Sequence, residues 1–495
     1  MFLFGFIFSA FFMINTVHAS QSCVMESYHE EVVDTGSSLK EIEQKELTAG
    51  ACKEYYAEYD RRQKSKSKIS DKDFNRLTVL CGKWMFINLG MRTDIGIPMS
   101  IYKNIQHFDE VGPRMKKLGF LDDESWSKEP FPFGVVRVKH ERKFAFKRLA
   151  ANKVMQISCA GCHTAELPDG RFSLGSTNEK LDYGKFNIFT MFSVWLMDKK
   201  RLDEKRWLPE IIAKYQELDE KYNRFFFGFL KTVRYYPANQ MFIREVVGEE
   251  PAPLLTQKSF LESKPGIYNG FAPSLNFVDK ELYLTAPNLF GVGSQPEKHY
   301  GSLAGLETVD DFVSEAMIYT NRSTRYNKEK YIAPLKEYLK CVEAPKNLEP
   351  VKEDKLQHGK AIFQASCVSC HNLPNGGGTE AVSPDVIKTP SSYVGLFKNY
   401  RPTEKQSRVT YKLIQKLDMN KSAEEIKVRR LNGIWTRANL TSNGQIQGLD
   451  HLFCLSQERK NMDREHPKTE GIHADLCSDY SPSEKEALIE YLKHF

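Results

Sequence analysis

Two pentapeptides carry the clearest chemistry in this 495-residue chain. Cys159-Ala160-Gly161-Cys162-His163 and Cys367-Val368-Ser369-Cys370-His371 both read C-x-x-C-H. Two thiols at this spacing add across the two vinyl groups of one haem and form thioethers. The His that follows swings onto the iron as an axial ligand. At this Cys and His content, one such pentapeptide arises by chance roughly 0.005 times. A zinc knuckle or a thioredoxin-like pair is the alternative, but zinc needs further paired ligands nearby and neither neighbourhood supplies them at finger spacing. The spacing predicts two covalently bound c-type haems (iron), attached through Cys159, Cys162, Cys367 and Cys370, with His163 and His371 as metal ligands. No catalytic residue is assigned.

Covalent haem attachment takes place outside the cytoplasm, and the N-terminus agrees. Phe2 to Val17 is uncharged and apolar apart from Ser9, Asn15 and Thr16, and Val17-His18-Ala19 ends it with small residues at −3 and −1. Residues 1–19 are therefore expected to be a signal peptide, although no Lys or Arg precedes the apolar run. An uncleaved anchor and a lipoprotein at Cys23 are the alternatives; Ser20-Gln21-Ser22 is a poor lipobox. The expected location is periplasmic or otherwise exported. Past the N-terminus no apolar window is long enough for an integral membrane domain. A net charge of +6 is too weak to argue for nucleic acid, and 41% hydrophobic residues supply a sizeable core.

Helices must hold these motifs. Leu356 to Phe363 leads into the second one, with small Gly359 and Ala361 suited to close packing on another helix. Ser481-Pro482-Ser483-Glu484 is a capping box that opens a closing helix with an Ala487, Leu488, Tyr491, Leu492 stripe. Glu-Tyr-Leu-Lys occurs at 337–340 and again at 490–493, each time after a haem motif and at the end of a helical stretch. The expected fold is mainly α, two cytochrome-c-like helical domains with large loops and few short strands. The first spans 130–341 and carries an insertion. A Pro-containing linker at 342–350 leads to the second at 351–495. Residues 20–129 form an N-terminal helical region of unknown role, with helical patterning at Ser38 to Tyr59 and Phe74 to Leu89. Phe131 to Lys139 reads as a turn and a strand. Lys199 to Tyr222 reads as an amphipathic helix. Phe225-Phe226-Phe227 is either an apolar contact surface or, as the plainer reading, a buried helix end.

Six cysteines remain: Cys23, Cys52, Cys81, Cys341, Cys454 and Cys477. An even remainder in an oxidising compartment predicts pairing. Cys454 with Cys477 is the first expectation, because the pair would staple a polar stretch without hydrophobic period. Cys52 with Cys81 is the second.

From about 130 onward the chain resembles the exported di-haem cytochrome c family that includes the rubber oxygenases and, more distantly, the bacterial di-haem cytochrome c peroxidases. Phe131-Pro132-Phe133-Gly134 is similar to a Leu-Pro-x-Gly element before the first haem, and Cys159 to Thr164 to the first haem motif. Arg429-Arg430-Leu431-Asn432-Gly433-Ile434-Trp435 is similar to the family's Arg-x-Leu-Asn-Gly-Ile-Trp, which precedes Ala-Pro-Tyr-Leu-His-Asn-Gly. Here that second segment reads Ala438-Asn439-Leu440-Thr441-Ser442-Asn443-Gly444, so Ser442 stands where the family has His. Ile267 and Asn269 likewise stand where a related element has Arg and Asp. Rubber cleavage therefore does not carry over; haem attachment and architecture do.

The sixth iron position decides function: His or Met gives electron transfer, an open position gives peroxide or dioxygen chemistry. Hydroxyl-bearing Ser442 is a poor iron ligand. His451 is the best-placed replacement at the second haem, with Met419, Met462 and His473 behind it; for the first haem nothing stands out. Lys427, Arg429 and Arg430 can neutralise haem propionates, or form an ordinary solvated run. The resemblance implies that Trp435 relays electrons between the haems, against a plainer place in the core. Three readings follow: an exported electron-transfer cytochrome serving an external redox partner; an oxidoreductase using a small oxidant at one five-coordinate haem; and a non-catalytic relative with a binding role.

Overall fold

The computed structural model describes residues 34–43, 45–90, 97–98, 116, 119–122, 131–139, 153–181, 288–292, 329–374, 376–378, 381–383, 385–386, 426–440, 446–456 and 474–495. Of the described residues 47% are helical and 9% lie in strands, so this part of the chain is mainly α, as its patterning predicts. The expected leader at 1–19, the Lys199 to Tyr222 helix, the Phe225-Phe226-Phe227 cluster and Ser442 lie outside them. No helix among the described residues is long and apolar enough to cross a membrane.

In chain order the elements are β1 (Thr35–Gly36), α1 (Leu39–Glu43), α2 (Lys45–Arg62), α3 (Asp71–Asn88), β2 (Ile97–Pro98), β3 (Val135–Lys139), β4 (Lys153–Ile157), α4 (Cys159–Cys162), β5 (Thr164–Glu166), β6 (Phe172–Leu174), α5 (Glu329–Lys340), α6 (Glu353–Ser366), β7 (Ala381–Val382), β8 (Ile426–Lys427), α7 (Gly448–Leu452) and α8 (Pro482–Lys493). Short 3-10 turns lie at Ile434–Thr436 and Ala474–Cys477.

Two helix crossings organise these elements. α3 starts at Ser70, whose hydroxyl accepts the Asp73 N–H at 3.1 Å and so satisfies one of the donors a helix leaves open at its N-terminus. Its buried face, including Val79, Met85 and Phe86, lies against α2 and α5. At the crossing with α5, a methyl group on Gly82 would stand 1.9 Å from the Pro334 carbonyl oxygen and 2.6 Å from Tyr338 Cβ. Only a residue without a side chain lets the two backbones come this close. The rings of Phe86 and Tyr338 meet at 5.5 Å just beyond.

The second crossing, α6 on α8, repeats the arrangement. A methyl on Gly359 would stand 1.9 Å from the Ala487 carbonyl oxygen and 2.9 Å from Tyr491 Cβ, and the Phe363 and Tyr491 rings meet at 5.2 Å. The capping box expected at Ser481 is present in both directions: Ser481 Oγ accepts the Glu484 N–H, and the Glu484 carboxylate accepts the Ser481 N–H at 2.8 Å. Ala487, Leu488 and Leu492 are buried, and Tyr491 is half-buried.

Among the described residues three small antiparallel sheets complete the frame, with strand orders β1-β6-β5, β2-β4-β3 and β7-β8. The strand expected after Phe131 is β3, which pairs along its length with β4. The disulfide Cys52–Cys81 staples α2 to α3, and Cys454–Cys477 joins the segment after α7 to the turn before α8, both as expected. Cys341, at the end of α5, is also disulfide-bonded. Beneath the first crossing, Lys83 is fully buried with its Nζ 3.4 Å from the Asp34 carboxylate, to which the Tyr338 hydroxyl donates at 2.9 Å. Burial holds the Lys83 ammonium below its ordinary range and the Tyr338 phenol well above its own; Asp34 partly restores the lysine.

Candidate functional site

The first motif sits where β4 turns into β5. Ser158 is the hinge: its N–H and its hydroxyl both donate to the Gly134 carbonyl, at 2.8 and 3.2 Å. Gly134 has φ +76°, and a methyl on it would reach 2.2 Å from the Gly161 nitrogen. The Phe131-Pro132-Phe133-Gly134 element is thus a turn laid directly on the motif, and its glycine is required both by the backbone angle and by the approach. α4 then carries Cys159 and Cys162 on one helical turn, with the His163 N–H closing it onto the Cys159 carbonyl at 2.9 Å. Asn178 fixes the far side: its N–H donates to the Cys162 carbonyl at 2.8 Å and its side-chain amide to the Gly161 carbonyl at 3.2 Å. Burial pushes the Cys159 thiol up to about 12 and raises Cys162 as well.

The second motif follows α6. Cys367 caps that helix, its N–H donating to the Phe363 carbonyl at 2.8 Å, and the Cys370 and His371 N–H groups both fold back onto the Cys367 carbonyl. Val368 and Ser369, between the two thiols, are exposed, whereas Ala160 and Gly161 of the first motif are buried. Burial raises the Cys367 thiol to about 11. The His371 ring lies 6.2 Å from that of Phe363, and its Nδ1–H donates to the Gly376 carbonyl. Burial lowers the imidazole from its ordinary range, with the Gly376 bond acting the other way. A neutral His371 therefore has its proton on Nδ1 and its lone pair on Nε2, the arrangement an iron ligand needs. The loop that supplies Gly376 is packed against the 428–431 stretch: a methyl on Gly376 would meet Leu431, and one on Gly378 would meet Val428 and the Cys370 carbonyl.

Both motifs thus hold two thiols on one turn, with a His following at once. Cysteine chemistry sorts the same way. Among the described residues, Cys52, Cys81, Cys341, Cys454 and Cys477 are in disulfides, while Cys159, Cys162, Cys367 and Cys370 are thiols. The residues present fit a c-type haem at each motif. Among the described residues no group of three or more His, Cys, Asp or Glu is placed to hold a metal ion by itself; a haem brings four nitrogen donors of its own.

The other expected residues fall in varied places. His451 is buried on α7, and its Nδ1 accepts the Gln447 N–H at 3.2 Å. A neutral imidazole that accepts at Nδ1 carries its proton on Nε2. In this arrangement His451 caps its own helix and does not present an Nε2 lone pair to iron. Met419, Met462 and His473, and the Lys427 side chain, lie outside the described residues. Arg429 is exposed, and Arg430 donates to the Asn288 carbonyl at 2.8 Å. Trp435 donates from its indole nitrogen to the Pro345 carbonyl at 3.2 Å, which sets it against the linker.

Sequence reading passed over Asn288, Glu179 and Arg437. Asn288 accepts the Thr177 N–H at 3.0 Å and donates to the Gly433 carbonyl and the Thr436 hydroxyl. The Glu179 carboxylate accepts the Ala438 N–H at 2.6 Å and the Asn439 N–H at 2.9 Å, and lies 3.9 Å from Arg437 Nε. Burial raises the Glu179 carboxyl against these partners, and lowers Arg437 to about 10.

No family model matches the chain, and neither a curated protein nor a solved structure matches it.

Proposed function

We propose that the chain is an exported c-type cytochrome of the di-haem family it resembles, built from two cytochrome-c-like helical units. One haem is attached through Cys159 and Cys162 with His163 on its iron. The other is attached through Cys367 and Cys370 with His371 on its iron. Its function is to pass single electrons between the haems and an external redox partner. Bound haem iron supplies the one-electron chemistry by alternating between ferric and ferrous states. The chain's part is to hold each haem rigidly: the Ser158–Gly134 and Asn178 bonds fix the first turn, and Gly376 orients His371.

The observation that carries this reading is the sorting of the cysteines: every described cysteine outside the two motifs is oxidised, and the four inside them are thiols. The test is covalent haem. Protein isolated through an export pathway competent for haem attachment is expected to keep haem peroxidase staining after denaturation. Its intact mass should show two haems, and Cys159→Ala with Cys162→Ala should leave one. A wild-type chain from that pathway without covalent haem overturns the proposal.

A second reading, peroxide or dioxygen chemistry at a five-coordinate second haem, is favoured by the His451 hydrogen bond, which uses the ring as a helix cap. Carbon monoxide binding to the reduced protein distinguishes the two. Binding at the second haem supports the oxidoreductase reading; no binding at either haem supports pure electron transfer.

A further inference from the structure

We propose that Glu179 and Asn288 are positioning residues that latch the two haem units together and so set the rate at which electrons cross between the haems. The inference rests on the di-haem reading above and adds to it the residues that fix one site relative to the other.

The latch is built from groups far apart in sequence. On one side stands the 174–181 segment, tied to the first motif by the Asn178 N–H on the Cys162 carbonyl and by the Gly175 N–H on the His163 carbonyl, each at 2.8 Å. On the other stands 430–439, which leads back to Leu431 and Val428 against Gly376 and Gly378 of the second motif's loop. Glu179 closes the gap from the first side by taking two successive backbone N–H groups, those of Ala438 and Asn439, on one carboxylate. Asn288 closes it a second time. Its Oδ1 holds Thr177, next to Asn178, while its Nδ2 holds Gly433 and Thr436 and its carbonyl holds Arg430. Gly433 has φ +67° and packs on Phe290, so the turn that offers its carbonyl to Asn288 has little room to move.

The consequence is a route of covalent and hydrogen bonds interrupted by a single packing contact, that of Leu431 on Gly376. It runs from the Cys162 carbonyl through Asn178 and Glu179 to Ala438, and along the chain to Leu431. There Leu431 packs on Gly376, whose carbonyl holds the His371 imidazole. Electron tunnelling falls exponentially with separation and is faster through bonds than through gaps. A carboxylate accepting two backbone N–H groups is the strong kind of hydrogen bond, and both of its partners lie across the gap.

The test compares the haem-loaded wild-type protein with Glu179→Ala and Asn288→Ala. Mass spectrometry first establishes two haems in the wild type; their absence overturns the di-haem reading and this inference together. In Glu179→Ala, hydrogen exchange at Ala438 and Asn439 is expected to rise by about tenfold or more, the effect of losing charge-assisted bonds of this strength. Each haem's own absorption spectrum should stay unchanged. Electron transfer between the haems, followed after photoreduction of one of them, is expected to slow. Glu179→Gln, which keeps one acceptor, should fall between. Asn288→Ala should slow the same step through loosened exchange at 433–436, and serves if Glu179→Ala does not fold. Unchanged exchange in these variants overturns the latch. Loosened exchange with an unchanged inter-haem rate overturns its role in electron transfer.

Discussion

Gly82 and Gly359 occupy the same place in two separate helix crossings: a methyl group on either would stand 1.9 Å from a carbonyl oxygen of the partner helix. Four residues on, the rings of Phe86 and Phe363 lie tilted against those of Tyr338 and Tyr491 in turn. The pairs α3–α5 and α6–α8 are therefore built to one plan. This groups α3, from a stretch whose sequence alone suggests no role, with the Cys159–His163 motif.

Gly82→Val and Gly359→Val are each expected to destabilise the protein by about 3 kcal/mol or more, because the clash is with backbone that cannot rotate away. Under the di-haem reading, Gly82→Val should lower haem retention at the first motif and Gly359→Val at the second. Thermal unfolding together with haem counting by mass checks both. Equal loss from both motifs in either variant would count against two separately built units.

Asp34→Ala removes the carboxylate that faces fully buried Lys83 and accepts from Tyr338. Leaving a buried ammonium without that partner costs about 3–5 kcal/mol. Burial already depresses Lys83 in the folded protein, and loss of Asp34 depresses it further. A base whose folded pKa lies below its unfolded value makes stability rise with pH across the interval between the two. The variant should thus regain part of its loss as pH is raised, more steeply than the wild type. Urea denaturation at a series of alkaline pH values measures this.

Acid should weaken the α6–α8 pair. The Glu484 carboxyl is held below its ordinary 4.5 by the Ser481 hydroxyl and backbone, and Glu486 by the Lys355 ammonium. Groups lowered in the fold give stability that is present above the unfolded value and is lost as pH falls through the folded one. Glu179 has the opposite sign, being raised by burial, so its contribution grows as pH falls. Glu484→Gln is expected to flatten the acid limb of the stability curve below about pH 4.5. Glu179→Gln should not flatten it. Chemical denaturation between pH 3 and 7 separates them.

Peptide mapping without reduction should recover Cys52 with Cys81 and Cys454 with Cys477. Cys341 is also oxidised, and Cys23 is the cysteine left over as its expected partner. Replacing Cys454 and Cys477 by Ser should cost about 3 kcal/mol, the loop entropy for a separation of 23 residues. A map that finds either C-x-x-C pair disulfide-bonded in the mature protein would speak against haem on that pair.

What could be read from the sequence was local. The Ser481 capping box, the α6 and α8 spans, the turn and strand after Phe131 and both disulfides are written within about thirty residues of chain, where spacing decides geometry. The partnership of α3 with α5 is not local. Its signal was nevertheless present, since Gly-Lys-x-x-Phe stands at 82–86 and again at 359–363. Asn288 and Glu179 gave no such signal. Each is a single polar residue whose partners lie more than a hundred residues away, and nothing in its neighbours' pattern marks it. His451 could be named from the sequence as a candidate ligand, but which ring nitrogen meets which partner is a matter of atomic geometry that spacing does not encode.

The unequal burial of the two motifs has a consequence for biogenesis. A thiol adds to a vinyl group only if the attachment machinery can reach it, and more readily as thiolate. Once β4, α4 and the Phe133–Gly134 turn have closed, Cys162 is out of reach; burial raises the Cys367 thiol as it does Cys159 and Cys162, so access rather than ionisation separates the two motifs. The Cys367–Cys370 turn, with Val368 and Ser369 at the surface, remains approachable after α6 has formed. For a chain that carries haem at both places, maturation then has a direction. The first haem must be installed while the polypeptide is still open, and the second tolerates a later encounter. Such a protein, starved of haem while it folds, should accumulate as a one-haem form that is loaded at Cys367 and Cys370 and can no longer be completed.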